Sequence, residues 1–206
     1  MRDLEIRGAG NLLGSEQSGH MISVGFDMYL KLLEEAVLEE KGEKSTRPSE
    51  CSADINVSAG ISDDYIETAE QRMDIYRRIA LIESEEDADD IIDELIDRFG
   101  EPPENVNTLV GVALLRVEAA AAGISDISQR SGRLYFKLTD FSMECISGLY
   151  NMQQFRGRVK VEAGADPSVS VKIKYPKEVL DEAFDFVKAY RKMQDSEKQK
   201  GEINQQ

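Results

Sequence analysis

The stretch Ser84–Gly100 reads Ser-Glu-Glu-Asp-Ala-Asp-Asp-Ile-Ile-Asp-Glu-Leu-Ile-Asp-Arg-Phe-Gly, and its pattern predicts a single amphipathic helix. Apolar residues recur at three- and four-residue steps, which places them on one arc of a helix. Ser84 is a favoured N-cap residue, and Gly100 is a favoured residue just past a helix end. We therefore predict a helix over Glu85–Phe99. Its buried arc consists of Ala88, Ile91, Ile92, Leu95, Ile96 and Phe99.

The opposite side of this predicted helix carries an acidic stripe, formed by Glu86, Asp90, Glu94 and Asp97. Like charges at three- and four-residue spacing destabilise an isolated helix by ~0.2–0.5 kcal/mol per pair. Arg98 is the only basic residue on this predicted helix that can offset the repulsion. Two interpretations stay open. The stripe is either a solvated face kept acidic for solubility, or a surface that receives basic residues from a partner.

Two more helices are predicted on either side, over Ser62–Ile82 and Glu104–Ala122. Asp63 and Asp64 suit a helix N-terminus, where carboxylates cap free amides and face the positive end of the helix dipole. Pro102 and Pro103 separate the second helix from the third. Three amphipathic helices joined by short turns are expected to pack as a small bundle.

The C-terminal half alternates between strand and helix patterns. Period-two alternation predicts strands over Ile124–Gln129, Leu134–Thr139, Val159–Ala163 and Ser168–Lys174, and helical spacing predicts helices over Met143–Phe155 and from Pro176 onward. Arg130-Ser131-Gly132-Arg133 predicts a hairpin turn. The expected fold class is α+β: a helical bundle packed with a small sheet of about four strands and two further helices.

The N-terminal part is organised differently. Phe26–Glu40 has the spacing of a helix with one apolar face, and Lys41–Ser52 is polar. We predict three parts: an N-terminal segment at 1–41, a linker at 42–61 that includes a short candidate strand, and the main domain at 62–206. A full apolar stripe is seldom left in water, so Phe26–Val37 is expected to dock on the main domain, to pair with another copy, or to be mobile.

Charge limits the classes of function. The net charge is −15, and residues 63–104 carry 16 Asp and Glu against 4 Arg and no Lys, a local charge of −12. Such a balance argues against this chain alone binding a phosphate backbone, which needs clustered Lys and Arg. No apolar run approaches the ~20 residues of a membrane helix. No secretory signal pattern follows Met1, so a cytoplasmic location is expected.

Residue types for catalysis or metal binding are sparse. The two cysteines, Cys51 and Cys145, are far apart, and His20 is the only histidine. This pattern favours two unpaired thiols in a reducing compartment and no metal cluster. The G-x-x-x-x-G-K-[ST] phosphate loop is absent, as are a G-x-S-x-G elbow and calcium- or zinc-loop patterns. We therefore predict no catalytic site and no bound cofactor in this chain, and no ATP hydrolysis or movement on DNA by it alone.

Two separated blocks carry a resemblance to a known family. The first is Arg2-Asp3-Leu4-Glu5-Ile6-Arg7-Gly8-Ala9-Gly10, followed by Leu12-Leu13-Gly14 and Gln17-Ser18-Gly19-His20. It resembles the translocation motif of the transcription-repair coupling factors (Mfd), which RecG-type branched-DNA helicases share. The second comprises Tyr76-Arg77-Arg78-Ile79-Ala80 and Glu94-Leu95-Ile96-Asp97-Arg98-Phe99-Gly100. It is similar to the C-terminal regulatory (TRCF) domain of the coupling factors, which RecG lacks.

The resemblance implies a role for each part. Residues 1–41 would be the end of the second motor lobe, where Arg7, Gln17, Gly8 and Gly10 occupy motif positions that link ATP hydrolysis to movement on duplex DNA. ATP and Mg²⁺ would bind elsewhere in the parent protein. Residues 62–206 would be the regulatory domain, which folds back on the parent's N-terminal repair-like module. This contact would mask the UvrA-binding surface until RNA polymerase is engaged.

Under this resemblance the acidic stripe would receive arginines of the N-terminal module. Glu94 is the first candidate contact, followed by Asp90 and Asp97, with Glu86 in the same stripe. Glu94→Ala is then expected to raise UvrA binding without lowering the melting temperature of the isolated domain. Two alternatives stay open: a RecG-like helicase fragment, and a free-standing acidic adaptor or nucleic-acid mimic.

Two further groups of residues have open interpretations. Tyr65, Tyr76, Arg77 and Arg78 are predicted to be core aromatics and local ion-pair partners rather than a nucleic-acid patch, because acids surround them. A modest basic cluster is formed by Arg130, Arg133, Lys137, Arg156, Arg158 and Lys160. Solvated strand faces and contact with a partner explain this cluster equally well.

Overall fold

The computed structural model describes residues 51–139, 141–162 and 168–203, with side chains up to residue 199. Five helices lie in this part of the chain: α1 (Ala69–Ala80), α2 (Glu85–Phe99), α3 (Glu104–Ala121), α4 (Met143–Asn151) and α5 (Val179–Ile203). Five strands accompany them: β1 (Ser52–Asp54), β2 (Ile124–Arg130), β3 (Arg133–Leu138), β4 (Val159–Glu162) and β5 (Ser168–Lys172). The predicted α+β class is confirmed.

The strands form one open, mixed sheet in the order β1-β2-β3-β5-β4. β1 runs parallel to β2, and the other neighbours are antiparallel. The sheet has five strands rather than about four, because β1 lies within the stretch predicted as a linker with a short candidate strand. Cys51, Ala53 and Ile55 are buried, so this stretch belongs to the core from Cys51 onward. The predicted division of the whole chain into domains stays a prediction.

The β2–β3 hairpin has the predicted turn. Its two loop residues, Ser131 and Gly132, have φ values of 50° and 69°. Positive φ at both central residues is the geometry of the tight two-residue turn that matches the twist of the flanking strands. Register follows from this turn, with Arg130 opposite Arg133 and Phe136 opposite Ile127.

The core lies between one face of the sheet and the helices. Phe136 from β3 stacks on Phe186 of α5, with ring centroids 3.9 Å apart, and Phe155 meets Phe186 edge-on at 6.0 Å. α3 contacts α1 and α2 on one side, and β1, β2 and α5 on the other. The three-helix bundle and the sheet therefore share one hydrophobic core through α3.

Three predicted helix boundaries are wrong. The first helix begins at Ala69 rather than Ser62, because residues 62–66 form a separate turn. The Arg72 guanidinium holds that turn by donating to the carbonyls of Ile66 at 2.6 Å and Glu67 at 2.9 Å. α4 ends at Asn151 rather than Phe155, and the chain then turns through Gly157, with φ 73°, into β4.

The last helix begins at Val179 rather than Pro176. The residues before it form a turn in which the Glu178 N–H donates to the Tyr175 carbonyl at 2.9 Å. The carboxylate of Glu182 accepts from the amides of Lys174 at 2.7 Å and Tyr175 at 2.5 Å. A side chain from the first turn of α5 therefore fixes the segment that precedes the helix.

The candidate partner-binding face of helix α2

The N-terminus of α2 is closed by a reciprocal cap, which holds the acidic stripe in a regular helix. Ser84 Oγ accepts from the Asp87 N–H at 3.1 Å, and Asp87 Oδ2 accepts from the Glu83 N–H at 3.0 Å and from Ser84 Oγ at 2.8 Å. The bond from the Glu83 amide, followed by that from the Ser84 hydroxyl, lowers the pKa of Asp87. The arrangement resembles a capping box, with a bond from the N–H of Glu83, one residue before the N-cap Ser84.

As predicted, α2 ends at Phe99 and Gly100 follows it as the C-terminal cap. Gly100 has φ 82°, a region that glycine adopts without strain, and its N–H donates to the Ile96 carbonyl at 3.0 Å. The Tyr65 hydroxyl donates to the Gly100 carbonyl at 2.8 Å, and the Tyr65 ring meets Phe99 edge-on at 6.1 Å. Both ends of the helix are therefore held by specific bonds.

The apolar arc of α2 is narrower than predicted. Ala88, Ile91 and Leu95 are buried against α1 and α3, whereas Ile92 and Phe99 are half-buried. Ile96 is 40% exposed, so its predicted burial is wrong. The buried contact with the neighbouring helices runs from Ala88 to Ile91 to Leu95. Ile96 follows Leu95 directly, so its side chain points about 100° further round the helix and away from this contact.

The structure divides the predicted acidic stripe into two kinds of carboxylate. Glu86, Asp90 and Asp97 are exposed to solvent along α2. The Glu94 side chain is only 22% exposed, because it forms ion pairs with Arg98 one turn later and with Arg78 of α1. The pairing of Glu94 with Arg78 could not be seen from the helix pattern, because it joins two helices.

Tyr65, Tyr76 and Arg78 have the structural roles that were predicted for them, whereas Arg77 is exposed to solvent on α1. Tyr76 is buried, and its hydroxyl accepts from the Ile61 N–H at 2.9 Å. Burial raises the pKa of Tyr76. Arg78 is the ion-pair partner of Glu94. These side chains therefore stabilise the bundle and position α2. The other predicted site, Arg7, Gln17, Gly8 and Gly10, lies outside the described residues.

Similarity to known proteins shows the family to which this chain belongs. Residues 55–145 match the TRCF domain family, and this range contains the whole of α2. The chain contains the TRCF domain of the transcription-repair coupling factors. The family resemblance drawn from the two sequence blocks is confirmed.

Curated transcription-repair-coupling factors resemble most of the chain. The protein from Staphylococcus haemolyticus strain JCSC1435 is 36% identical over 185 residues, which is 88% of this chain and 16% of that protein. The Bacillus subtilis strain 168 protein is 38% identical over 149 residues, covering 72% of this chain and 13% of that protein. The chain therefore spans about a sixth of the length of these relatives.

A solved structure resembles the fold of the TRCF domain. A crystal structure of the C-terminal domain of transcription-repair coupling factor superposes with a TM-score of 0.59 and 19% sequence identity. It covers 74% of this chain, and this chain covers 99% of it. The fold described above is therefore the fold of that domain.

Three further kinds of feature concern the described part of the chain: metal groups, membrane-spanning helices and cysteines. No group of three or more His, Cys, Asp or Glu residues there is arranged to hold a metal ion. No helix among the described residues is long and apolar enough to span a membrane.

Both cysteines are buried thiols without a disulfide. Cys145 donates to Glu197 Oε2 at 2.9 Å, an oxygen that also accepts from the Ser142 hydroxyl at 2.8 Å.

The surroundings of Cys145 predict a specific loss of stability at high pH. Burial, followed by the bond to the Glu197 carboxylate, raises the pKa of Cys145 from 9.0 to about 11. The unfolded thiol ionises above pH 9 and the folded one above about 11, so this contribution is present below pH 9 and is lost as the pH rises to about 11. Urea unfolding between pH 8 and 11 is expected to show a smaller decline for Cys145→Ala than for the unchanged chain. Equal declines would contradict the assignment.

Proposed function

We propose that the TRCF domain of this chain is an inhibitory domain. The acidic face of α2 binds an N-terminal repair-like module of the parent coupling factor, and we call this contact the clasp. The docked domain masks the UvrA-binding surface of that module. Engagement of RNA polymerase by the parent, an ATP-driven translocase on duplex DNA, releases it. The domain itself supplies a binding surface and no catalytic group.

The observation that carries this proposal is the row of exposed carboxylates on a helix fixed at both ends. Glu86, Asp90 and Asp97 lie on α2 within a segment of local charge −12, and the caps of the helix and its packing on α1 and α3 hold it in position. A rigid surface of one sign favours a partner of the opposite sign and raises the rate of encounter.

Glu94 shows that this face accommodates arginine. Its carboxylate is bound by two guanidinium groups, those of Arg78 and Arg98. Because those pairs already engage Glu94, we take Asp90 and Asp97 as the first candidate contacts. Glu94→Ala is now expected to lower the stability of the isolated domain slightly, by ~0–1 kcal/mol, since its ion pairs are partly exposed. This replaces the expectation that the melting temperature would not change.

The test uses the full-length coupling factor that contains this chain. We expect Asp90→Ala combined with Asp97→Ala to raise its affinity for UvrA about tenfold, which corresponds to ~1.4 kcal/mol lost from the clasp. The measurement is UvrA binding in solution in the absence of RNA polymerase. Both side chains are exposed, so the melting temperature of the domain is expected to stay the same.

A matched control removes the same charge from another exposed position. Asp63→Ala combined with Asp64→Ala changes the net charge by the same amount outside α2, in the turn before α1. UvrA affinity is expected to stay at the level of the unchanged protein. If both double variants raise the affinity equally, the effect is one of net charge. If Asp90→Ala with Asp97→Ala has no effect, α2 is not the clasp.

A further inference from the structure

Three short segments of this acidic chain contain no acidic residue. Residues 130–137, 153–160 and 168–177 together carry nine Lys and Arg and no Asp or Glu, in a chain with 40 acidic and 25 basic residues. They are far apart in sequence, so the pattern shows no single basic motif. The sequence had indicated only a modest basic cluster with an open interpretation.

The register of the sheet brings these segments together at one end. Arg130 of β2 lies opposite Arg133 of β3, and Arg133 lies opposite Lys172 of β5. Residues directly opposite each other in a ladder point to the same face, and adjacent strands are about 4.8 Å apart. These cations therefore form a row across three strands, on the face opposite that of Phe136 and the core.

Further cations surround this row. Lys160 of β4 lies opposite Ser170, one step along the same face, and Arg156, Lys174 and Lys177 are exposed in the segments that enter β4 and leave β5. We call this surface the basic corner; it consists of Arg130, Arg133, Arg156, Lys160, Lys172, Lys174 and Lys177. Arg158 is not included, because it forms an ion pair with Glu182.

Acidic residues on the same sheet face lie toward its other end. Asp126, opposite Lys137, lies four residues from Arg130 along β2, and Glu162, opposite Ser168, lies two residues from Lys160 along β4. Arg133 donates to neutral oxygen atoms, the hydroxyl and carbonyl of Ser170 and the Arg158 carbonyl, at 2.9–3.1 Å. These bonds orient the guanidinium, and the Ser170 hydroxyl in turn donates to Glu162 Oε1 at 3.3 Å, so one carboxylate lies beside the row of cations.

Two tyrosines lie among these cations. The Arg130 guanidinium lies over the Tyr135 ring at 4.2 Å, and the Lys174 ammonium lies 4.6 Å from the centre of the Tyr175 ring. Tyr175 is 48% exposed, and among the described rings only Tyr150, at 41%, is comparably exposed. Cations with exposed aromatic rings form the surfaces on which single-stranded nucleic acids stack their bases while their phosphates are neutralised.

The net charge of −15 led to the expectation that this chain alone does not bind a phosphate backbone, but most of that charge lies in residues 63–104. The most acidic segment contains α1 and α2, and α3 packs between those helices and the sheet. Exposed charges more than about 10 Å apart are largely screened at 0.1 M salt. A ligand at the basic corner is therefore governed by the nearby cations.

We propose that the basic corner binds a single strand of nucleic acid, through its phosphates at Arg130, Lys160, Lys172 and Lys174 and by stacking of one base on Tyr175. An acidic peptide would also satisfy the cations, but it gains nothing from an exposed ring. A duplex satisfies the cations while its bases remain stacked on one another. The tyrosine is therefore what selects a single strand.

The test is fluorescence anisotropy of the 206-residue chain with labelled dT20 and a 20-base-pair duplex at 50 and 200 mM salt. We expect dT20 to bind more tightly than the duplex and to weaken as salt rises. Arg130→Gln, Lys172→Gln and Lys174→Gln together are expected to weaken dT20 binding about tenfold or more at 50 mM salt and to flatten its salt dependence. Tyr175→Ala is expected to weaken dT20 about fivefold or more and to leave the duplex unchanged.

The matched control removes three exposed cations elsewhere, with Arg77→Gln, Lys192→Gln and Lys198→Gln. It has the same net charge as the corner variant and is expected to bind dT20 as the unchanged chain does. Equal losses in the two triple variants overturn the proposal, as does the absence of dT20 binding at 50 mM salt. Equal affinity for duplex and dT20 overturns the single-strand assignment. Displacement of dT20 by polyglutamate at equal charge concentration assigns the corner to an acidic peptide instead.

Discussion

Glu182→Ala is expected to destabilise the chain by ~3 kcal/mol in urea unfolding at pH 7. Glu182 is a buried acid in the first turn of α5, with 8% of its surface exposed. Its carboxylate pairs with Arg158 and accepts from the backbone amides of Lys174 and Tyr175. The substitution removes all three bonds and leaves the two amides without their acceptor.

The size of this effect follows from what remains after the carboxylate is lost. Removing one partner of a buried ion pair costs ~3–5 kcal/mol, because the other charge stays buried without compensation. The expected value is at the low end, since Arg158 also donates to the carbonyls of Lys172 and Gln154 and is 19% exposed. Glu182→Gln is expected to lose less, because its amide oxygen can still accept from one or both amides.

Asp185→Ala is the matched control for this prediction. Asp185 is exposed on the same helix, less than one turn after Glu182. Its removal is expected to change the free energy of unfolding by no more than about 0.5 kcal/mol. If Glu182→Ala and Asp185→Ala have similar effects, the ion pair does not join α5 to the sheet in solution.

The second large effect is expected for Phe186→Ala, at ~3–5 kcal/mol. The Phe186 ring is fully buried in the first half of α5 and contacts three other rings. It stacks on Phe136 at 3.9 Å and meets Phe155 edge-on and Tyr190 in a stacked arrangement, each at 6.0 Å. Truncation leaves a cavity at the place where the helix, the sheet and the segment after α4 meet.

Phe184→Ala removes the same atoms from the same helix and serves as its control. Phe184 is half-buried at the edge of the core, with the Lys188 ammonium 5.4 Å from its ring centre. We expect a loss clearly smaller than that of Phe186→Ala, because solvent can occupy the space that the Phe184 ring leaves. Equal losses in urea unfolding would show that the aromatic cluster is not the centre of the core.

Local sequence determined the elements whose bonds are local. α2 has the predicted ends, because Ser84, Asp87 and Gly100 act within four residues of the positions they close. The β2–β3 hairpin likewise follows from Ser131 and Gly132, whose positive φ values set both the turn and the register. The family could also be recognised from two blocks of residues, because each of its motifs is a contiguous stretch of sequence.

Only the tertiary structure decided which charges are free to meet a partner. On a helical wheel Glu94 lies in the same stripe as Asp90 and Asp97 and was the first candidate contact, but its ion pair with Arg78 of a different helix sets it apart. The start of α1 depends on Arg72 reaching back to Ile66, and the start of α5 depends on Glu182. The basic corner exists because cross-strand register places Arg130, Arg133 and Lys172 side by side. Periodicity describes a residue's position on its own element, whereas these contacts depend on how separate elements pack.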